Sequence, residues 1–328
     1  MDTLNRVDIL SSILFQTMEI RRIYPHWMGA KPSINPQLIV LYLKKISLMC
    51  FVLVHCVLSV GAVLDSMVWG AVVDGDFLPD EPQNLFHLSA GIDLISGINN
   101  MDGHLFAGMD VPSINMETKD LRNEDHYEMF QILKAFTKDK GRKVMQDAFD
   151  LYSNSWGGLE TQEEAARAVV DLETDVMFLV PNQISLELHE RANSTSKTYA
   201  YVFSHPSRLF LYPDWMGADH ADDLQFVFGK PFVTPLGYRP QDRDVSTYFI
   251  NYWTNFARTG DPNNGENGVP ANWYPFDTDY RYYLDINHDM NYDSMKQNLR
   301  LEFTKFWANA FSTKGNCTLS KDLETFGS

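Results

Sequence analysis

Two short stretches of this chain carry side chains able to move protons. One is Asn99-Asn100-Met101-Asp102-Gly103-His104, and the other is Gly217-Ala218-Asp219-His220-Ala221-Asp222-Asp223-Leu224-Gln225-Phe226-Val227-Phe228-Gly229. A serine hydroxyl is a poor nucleophile at neutral pH. An imidazole must take its proton during attack, and a carboxylate must hold that imidazole in the right tautomer and stabilise its charged form. Asp102 and His220 are the candidates for acid and base. Spacing alone leaves other readings open. His220 stands among Asp219, Asp222 and Asp223, which also suits a solvated acidic loop or a metal site, and Asp-Gly is a common turn pair.

The nucleophile these two would serve is not evident. A serine presented on a strand-turn-helix elbow reads Gly-x-Ser-x-Gly, and the chain order in such hydrolases is serine, acid, histidine. The serines before residue 102 are Ser11, Ser12, Ser33, Ser47, Ser59, Ser66, Ser89 and Ser96, and none has glycine at both positions two residues away. A His-Gly-Gly-Gly-like stretch, which would supply an oxyanion donor, is absent as well. The chain as given is therefore expected to be catalytically inactive.

The elements that must position the pair read as α/β. Val68-Trp69-Gly70-Ala71-Val72-Val73 is a β-prone run, followed by a turn at Asp74-Gly75-Asp76 and a short helix over residues 82–90. Asp93 to Ile98 reads as a buried strand that stops at Asn99-Asn100, which sets Asp102 just past a strand end, where open α/β sheets place chemistry. Helical patterns cover 124–136, 143–152 and 163–177, the last closed by Pro181. Thr198 to Phe203 is a second strand, and the loop beyond it carries His205, Arg208 and His220. Residues 245–257 read as a helix ended by Gly260-Asp261-Pro262, and Met295, Leu299, Phe303, Phe306 and Phe311 recur at the spacing of a final amphipathic helix.

Composition bounds the function. The 328 residues are 45% hydrophobic and 13% aromatic, which suits a packed globular protein. With 27 basic and 43 acidic residues the net charge is −16, which repels phosphate backbones and sets nucleic acid aside. Cys50, Cys56 and Cys317 are too few and too scattered for a disulfide scaffold, and no Cys-x-x-Cys pair suggests zinc. The sequons Asn193-Ser194-Thr195 and Asn316-Cys317-Thr318 permit glycosylation in a secreted chain. Ile46 to Leu64 is a 19-residue apolar run behind Lys44-Lys45, long enough to span a bilayer, with a cytoplasmic N-terminus if it inserts. Val60 and Ala62 also offer a small-residue cleavage pattern, and a third reading makes this stretch an ill-folded terminus with no such role.

From about Val68 to Ala310 the chain resembles the C-terminal half of the carboxylesterase and cholinesterase family, and within it the bile-salt-activated lipase branch. The residues that carry the resemblance are Val73-Asp74-Gly75-Asp76-Phe77, Asn99 to His104, Phe203-Ser204-His205-Pro206-Ser207-Arg208, Gly217 to Gly229, and the block Tyr252-Trp253-Thr254-Asn255-Phe256-Ala257-Arg258-Thr259-Gly260-Asp261-Pro262-Asn263. The resemblance implies a partial α/β-hydrolase fold, the C-terminal portion of the sheet with a helical insert and with the N-terminal half missing. It implies Asp102 as triad acid, His220 as general base, Arg208 as a bile-salt contact, lipid esters and bile salts as partners, secretion, and no cofactor or metal. The expected organisation is a non-family segment over 1–66, the partial esterase domain over 67–312 and a tail over 313–328. The alternative is a non-catalytic, membrane-tethered, esterase-like binding or adhesion protein, in contact with the membrane through residues 46–64. Sheet edges and helix faces that lack the other half would leave apolar surface exposed.

Overall fold

A computed structural model describes residues 71–115, 122–138, 140–153, 162–192, 195–206, 212–234 and 237–311. Arg208, Asn193, Asn316 and the apolar run over 46–64 lie outside these residues. Among the described residues no helix is long and apolar enough to cross a membrane.

Four strands form one mixed sheet in the order β1 (Leu94–Asn99), β2 (Thr198–Phe203), β3 (Tyr282–Ile286), β4 (Met295–Gln297). β1 and β2 run parallel, in register from Leu94 opposite Thr198 to Asn99 opposite Phe203, and β3 continues the parallel set before β4 turns back. Parallel strands are covered on both faces, so they read as continuous apolar runs rather than as alternation. β1 and β2 obey this, each with only one residue short of full burial.

The long crossover from β1 to β2 carries α1 (His104–Asp110), α2 (Arg122–Phe136), α3 (Arg142–Ser153), α4 (Gln162–Thr174) and α5 (Val180–Ala192). Met129, Leu133, Val169, Val170, Leu172 and Val176 pack there with Trp307 from the last helix. Beyond β2 come two short helices, α6 (Asp222–Val227) and α7 (Lys230–Val233), then the long α8 (Pro240–Thr259) and finally α9 (Leu301–Phe311). α8 lays Val245, Phe249, Tyr252, Trp253 and Phe256 against Tyr199, Phe203, Leu284 and Ile286 of the sheet to make a second core. The buried indoles find partners for their N–H groups, as amphipathic aromatics must. Trp273 donates to the Ala200 carbonyl at 2.9 Å, and Trp307 to the Tyr152 hydroxyl at 2.9 Å. α8 ends at Gly260, whose φ of +75° is one that glycine adopts without a Cβ penalty.

Three expectations are corrected. Pro181 does not close the preceding helix. A π-helical turn over Asp175–Leu179 lets the Val180 N–H reach the Asp175 carbonyl, and this local change of pairing accommodates Pro181 within a helix that runs on to Ala192. Ala71 to Val73 form no strand; Val72 and Val73 are exposed and have no sheet neighbour to pair with. Met295 lies in β4 and Leu299 in the turn after it rather than in the final helix, which begins at Leu301. Large apolar side chains do remain exposed, Phe77, Leu88, Phe228, Phe232 and Val233 among them.

Candidate active site

Asp102 and His220, 118 residues apart in sequence, meet at the carboxyl ends of β1 and β2. Asp102 sits in the turn that follows β1, where its N–H donates to the Asn99 carbonyl at 3.2 Å and its Oδ2 accepts the Asn99 N–H at 2.7 Å. The other oxygen, Oδ1, lies 3.0 Å from His220 Nδ1. A carboxylate only accepts, so Nδ1 carries the proton and the lone pair of the neutral ring rests on Nε2. Among the described residues Nε2 has no hydrogen-bond partner. Phe178 and Phe106 flank the ring, with centroids 4.9 and 5.8 Å away. Phe178 comes from the π-helical turn, so the irregularity that admits Pro181 also delivers an aromatic wall to His220.

The loop that carries His220 is tied down on every side. Asn100 Oδ1 accepts the Ala218 N–H at 2.8 Å, Asn99 Nδ2 donates to the Asp219 carbonyl at 2.6 Å, and the Met101 N–H donates to the Ala218 carbonyl at 3.0 Å. Asp219 accepts from the Leu105 N–H at 3.2 Å and the His220 N–H at 2.7 Å, and its Oδ2 meets His104 Nδ1 at 3.0 Å. Ala221 follows with φ +66°, a left-handed conformation that costs a residue with a Cβ about 1 kcal/mol. The tight turn lets α6 start at once and aims the imidazole back at Asp102. Gly103 permits the other approach, since a Cβ there would stand 2.3 Å from the Thr174 N and 2.7 Å from the Val170 O of α4.

Electrostatics follow from burial. Asp102 is 5% exposed, and desolvation pushes its carboxyl up to about 6, against the pull of the His220 hydrogen bond and charge and with the Asp223 charge adding to the rise. Desolvation works to lower His220, yet the Asp102 hydrogen bond and charge, reinforced by Asp219 and Asp223, outweigh it and hold the imidazole above its ordinary value. The arrangement makes Nε2 a proton acceptor backed by a carboxylate.

Residues 36–307 match the carboxylesterase family. The chain belongs to that family. The matched residues take in the apolar run over 46–64. The bile salt-activated lipase of Mus musculus is 52% identical over 254 residues, which are 77% of this chain and 42% of that lipase. The one of Rattus norvegicus is 53% identical over 73% of this chain and 39% of its own length, and the one of Homo sapiens 52% identical over 72% and 31%. The chain spans about two fifths or less of the curated relatives it matches. The four-stranded mixed sheet with its helices is a partial α/β-hydrolase-type fold of this carboxylesterase family.

No described serine is hydrogen-bonded to His220 in this carboxylesterase chain. Ser96 donates to Asn182 Oδ1 at 2.5 Å inside β1, and Ser89 to the Phe86 carbonyl at 2.6 Å. Sequence reasoning reached Asp102 and His220 and missed the residues that brace them: Asn99, Asn100, Asp219, Asp223, Phe106 and Phe178. The first four lie inside the two blocks that drew attention to the pair, so the signal was adjacency to it. Nothing in the sequence marks Phe106 or Phe178.

Proposed function

We propose that this chain carries the acid and the general base of a serine carboxylic ester hydrolase acting on lipid esters, and that it is inactive as given because it holds no serine on an elbow to complete the triad. The observation that carries the reading is the 3.0 Å contact between Asp102 Oδ1 and His220 Nδ1, which leaves Nε2 without a hydrogen-bond partner among the described residues, with two phenylalanines beside the ring. Asp102 fixes the tautomer and stabilises the imidazolium, and His220 takes the serine proton and returns it to the leaving alcohol. A module that only binds has no use for an imidazole nitrogen left unpaired and backed by a buried carboxylate. The identity to bile salt-activated lipases supports bile salts as activators, Arg208 as a contact for them, and a secreted setting in which Asn193 and Asn316 are glycosylated. The test is hydrolysis of a short-chain nitrophenyl ester by the purified chain, with and without bile salt, beside His220→Ala. We expect no turnover in any of the four conditions. Turnover that His220→Ala abolishes would overturn the inactivity and reveal an unrecognised nucleophile.

A further inference from the structure

The loop that follows α8 reads Gly260-Asp261-Pro262-Asn263-Asn264-Gly265-Glu266-Asn267-Gly268 and holds two Asn-Gly pairs. An asparagine side chain can reach the backbone nitrogen of the next residue and close a five-membered ring with it. Glycine in that next position has no side chain to shield the nitrogen. The loop lies at the end of the sheet opposite the Asp102–His220 pair. Lys197 Nζ, just before β2, is 3.2 Å from Asp261, and a Cβ on Gly260 would stand 2.5 Å from Asp93, just before β1.

The fold treats the two pairs differently. Asn267 is held by its side chain, whose Nδ2 donates to Thr254 Oγ1 at 3.0 Å, and its carbonyl accepts from the buried Asn255 Nδ2 at 3.0 Å. Asn264 is exposed and held through its backbone, with its N–H on the Asp261 carbonyl at 3.2 Å and its carbonyl on Thr259 Oγ1 at 2.9 Å. Among the described residues neither its side-chain amide nor the Gly265 N–H makes a hydrogen bond.

We propose that Asn264 is a site of spontaneous deamidation, and that Thr254 protects Asn267 from the same reaction. The Gly265 N–H gives its proton to hydroxide, and the nitrogen attacks Asn264 Cγ. The new C–N bond forms as the Cγ–Nδ2 bond breaks, and the leaving nitrogen takes a proton from water and departs as ammonia. Water then opens the cyclic imide at either carbonyl, to give aspartate or isoaspartate. Isoaspartate lengthens the backbone by a methylene between residues 264 and 265. Gly265 has no room for this, since a Cβ there would stand 1.9 Å from Asn255 Oδ1. Asn255 Nδ2 also holds the Pro262 and Asn267 carbonyls, at 3.1 and 3.0 Å, so the lengthened loop loses its seat on α8.

The test keeps the full chain in mildly alkaline buffer and follows both asparagines by peptide mapping with mass spectrometry. Asn264 should convert about tenfold faster than Asn267, the factor imposed by one hydrogen bond that must break first. In urea the two rates should become roughly equal, because the hydrogen bond is then gone. Equal rates without urea, or a faster Asn267, would overturn the proposal. Thr254→Val should bring Asn267 up towards the rate of Asn264 and leave Asn264 unchanged, and an unchanged Asn267 would overturn its protection by Thr254. The isoaspartyl fraction, recognised by enzymatic methyl transfer to its carboxylate, should melt below the parent chain, whereas Asn264→Asp should melt with it. Equal melting of all three would overturn the loss of the loop's seat.

Discussion

Among the described residues four histidines each meet an aspartate, and His220 and His205 differ in what their second nitrogen meets. His220 meets Asp102 at 3.0 Å and His205 meets Asp242 at 2.7 Å. By carboxylate contact alone His205 is the better held of the two, and it is also fully buried. Its second nitrogen faces His288, whereas the second nitrogen of His220 has no hydrogen-bond partner among the described residues, with Phe106 and Phe178 beside the ring. Asp242 is itself bound by the Arg239 guanidinium at 2.9 Å and accepts the Arg239 N–H at the start of α8, so that carboxylate is part of a helix terminus. Asp102 serves its turn and His220 and nothing larger. The difference teaches that a histidine–carboxylate contact does not itself mark a general base.

The contrast can be broken or sharpened by substitution. His205→Ala should have the largest effect on stability, about 3 kcal/mol or more in chemical denaturation, because it removes a fully buried ring and leaves the Asp242 carboxylate short of a partner. His220→Ala should cost less, about 1–2 kcal/mol, since the ring is 13% exposed and the Asp102 carboxylate left behind keeps the Asn99 N–H. Equal losses would remove the distinction between the two. Gly103→Ala should cost about 2 kcal/mol, because the added Cβ meets the backbone of α4 and α4 has nowhere to move.

Asp102→Asn should lower the pKa of His220 from its raised value, read by proton NMR across a pH series. The stability consequence has a definite sign. A raised His220 pKa means that the folded chain holds that proton more tightly than the unfolded chain. Its contribution is full below about pH 6.5 and is lost as pH rises through the folded value. The Asp102 carboxyl, raised to about 6, contributes in the same sense, stabilising least once pH has risen past that value. Melting temperature relative to Asp102→Asn should therefore fall with rising pH from about 4 to beyond 6.5. A difference that grows with pH would contradict the assignment of charge. The smallest effect expected is from Ala221→Gly, a gain of under about 1 kcal/mol from relief of the positive φ.

The parts of the fold that could be read from the sequence are those where one residue type dominates a run. β1 and β2 are short apolar stretches with polar stops, so Asn99-Asn100 and Ser204 mark their ends and fix where Asp102 falls. β3 was hidden, because Asp285 interrupts its apolar residues and contacts both Ser204 and Lys296 across the sheet. Met295 fell into step with a helical spacing by coincidence, and only pairing with Leu284 places it in a strand. Pro181 misled because a π-turn changes which N–H a helix needs at that point. At the site, Asp102 and His220 were legible through the blocks around them. The His205–His288 contact was not, since 83 residues separate the two and only the parallel register of β2 and β3 brings them together.

The central claim is that Asp102 and His220 are an acid–base pair whose serine and oxyanion donors are not found in this chain. The most direct test joins the portion of the Mus musculus lipase outside its matched residues to the carboxylesterase residues of this chain, then measures nitrophenyl ester turnover. The account predicts hydrolysis that falls on the order of ten-thousandfold with Asp102→Asn and is lost with His220→Ala. A folded fusion that turns over ester equally well with His220→Ala would contradict it.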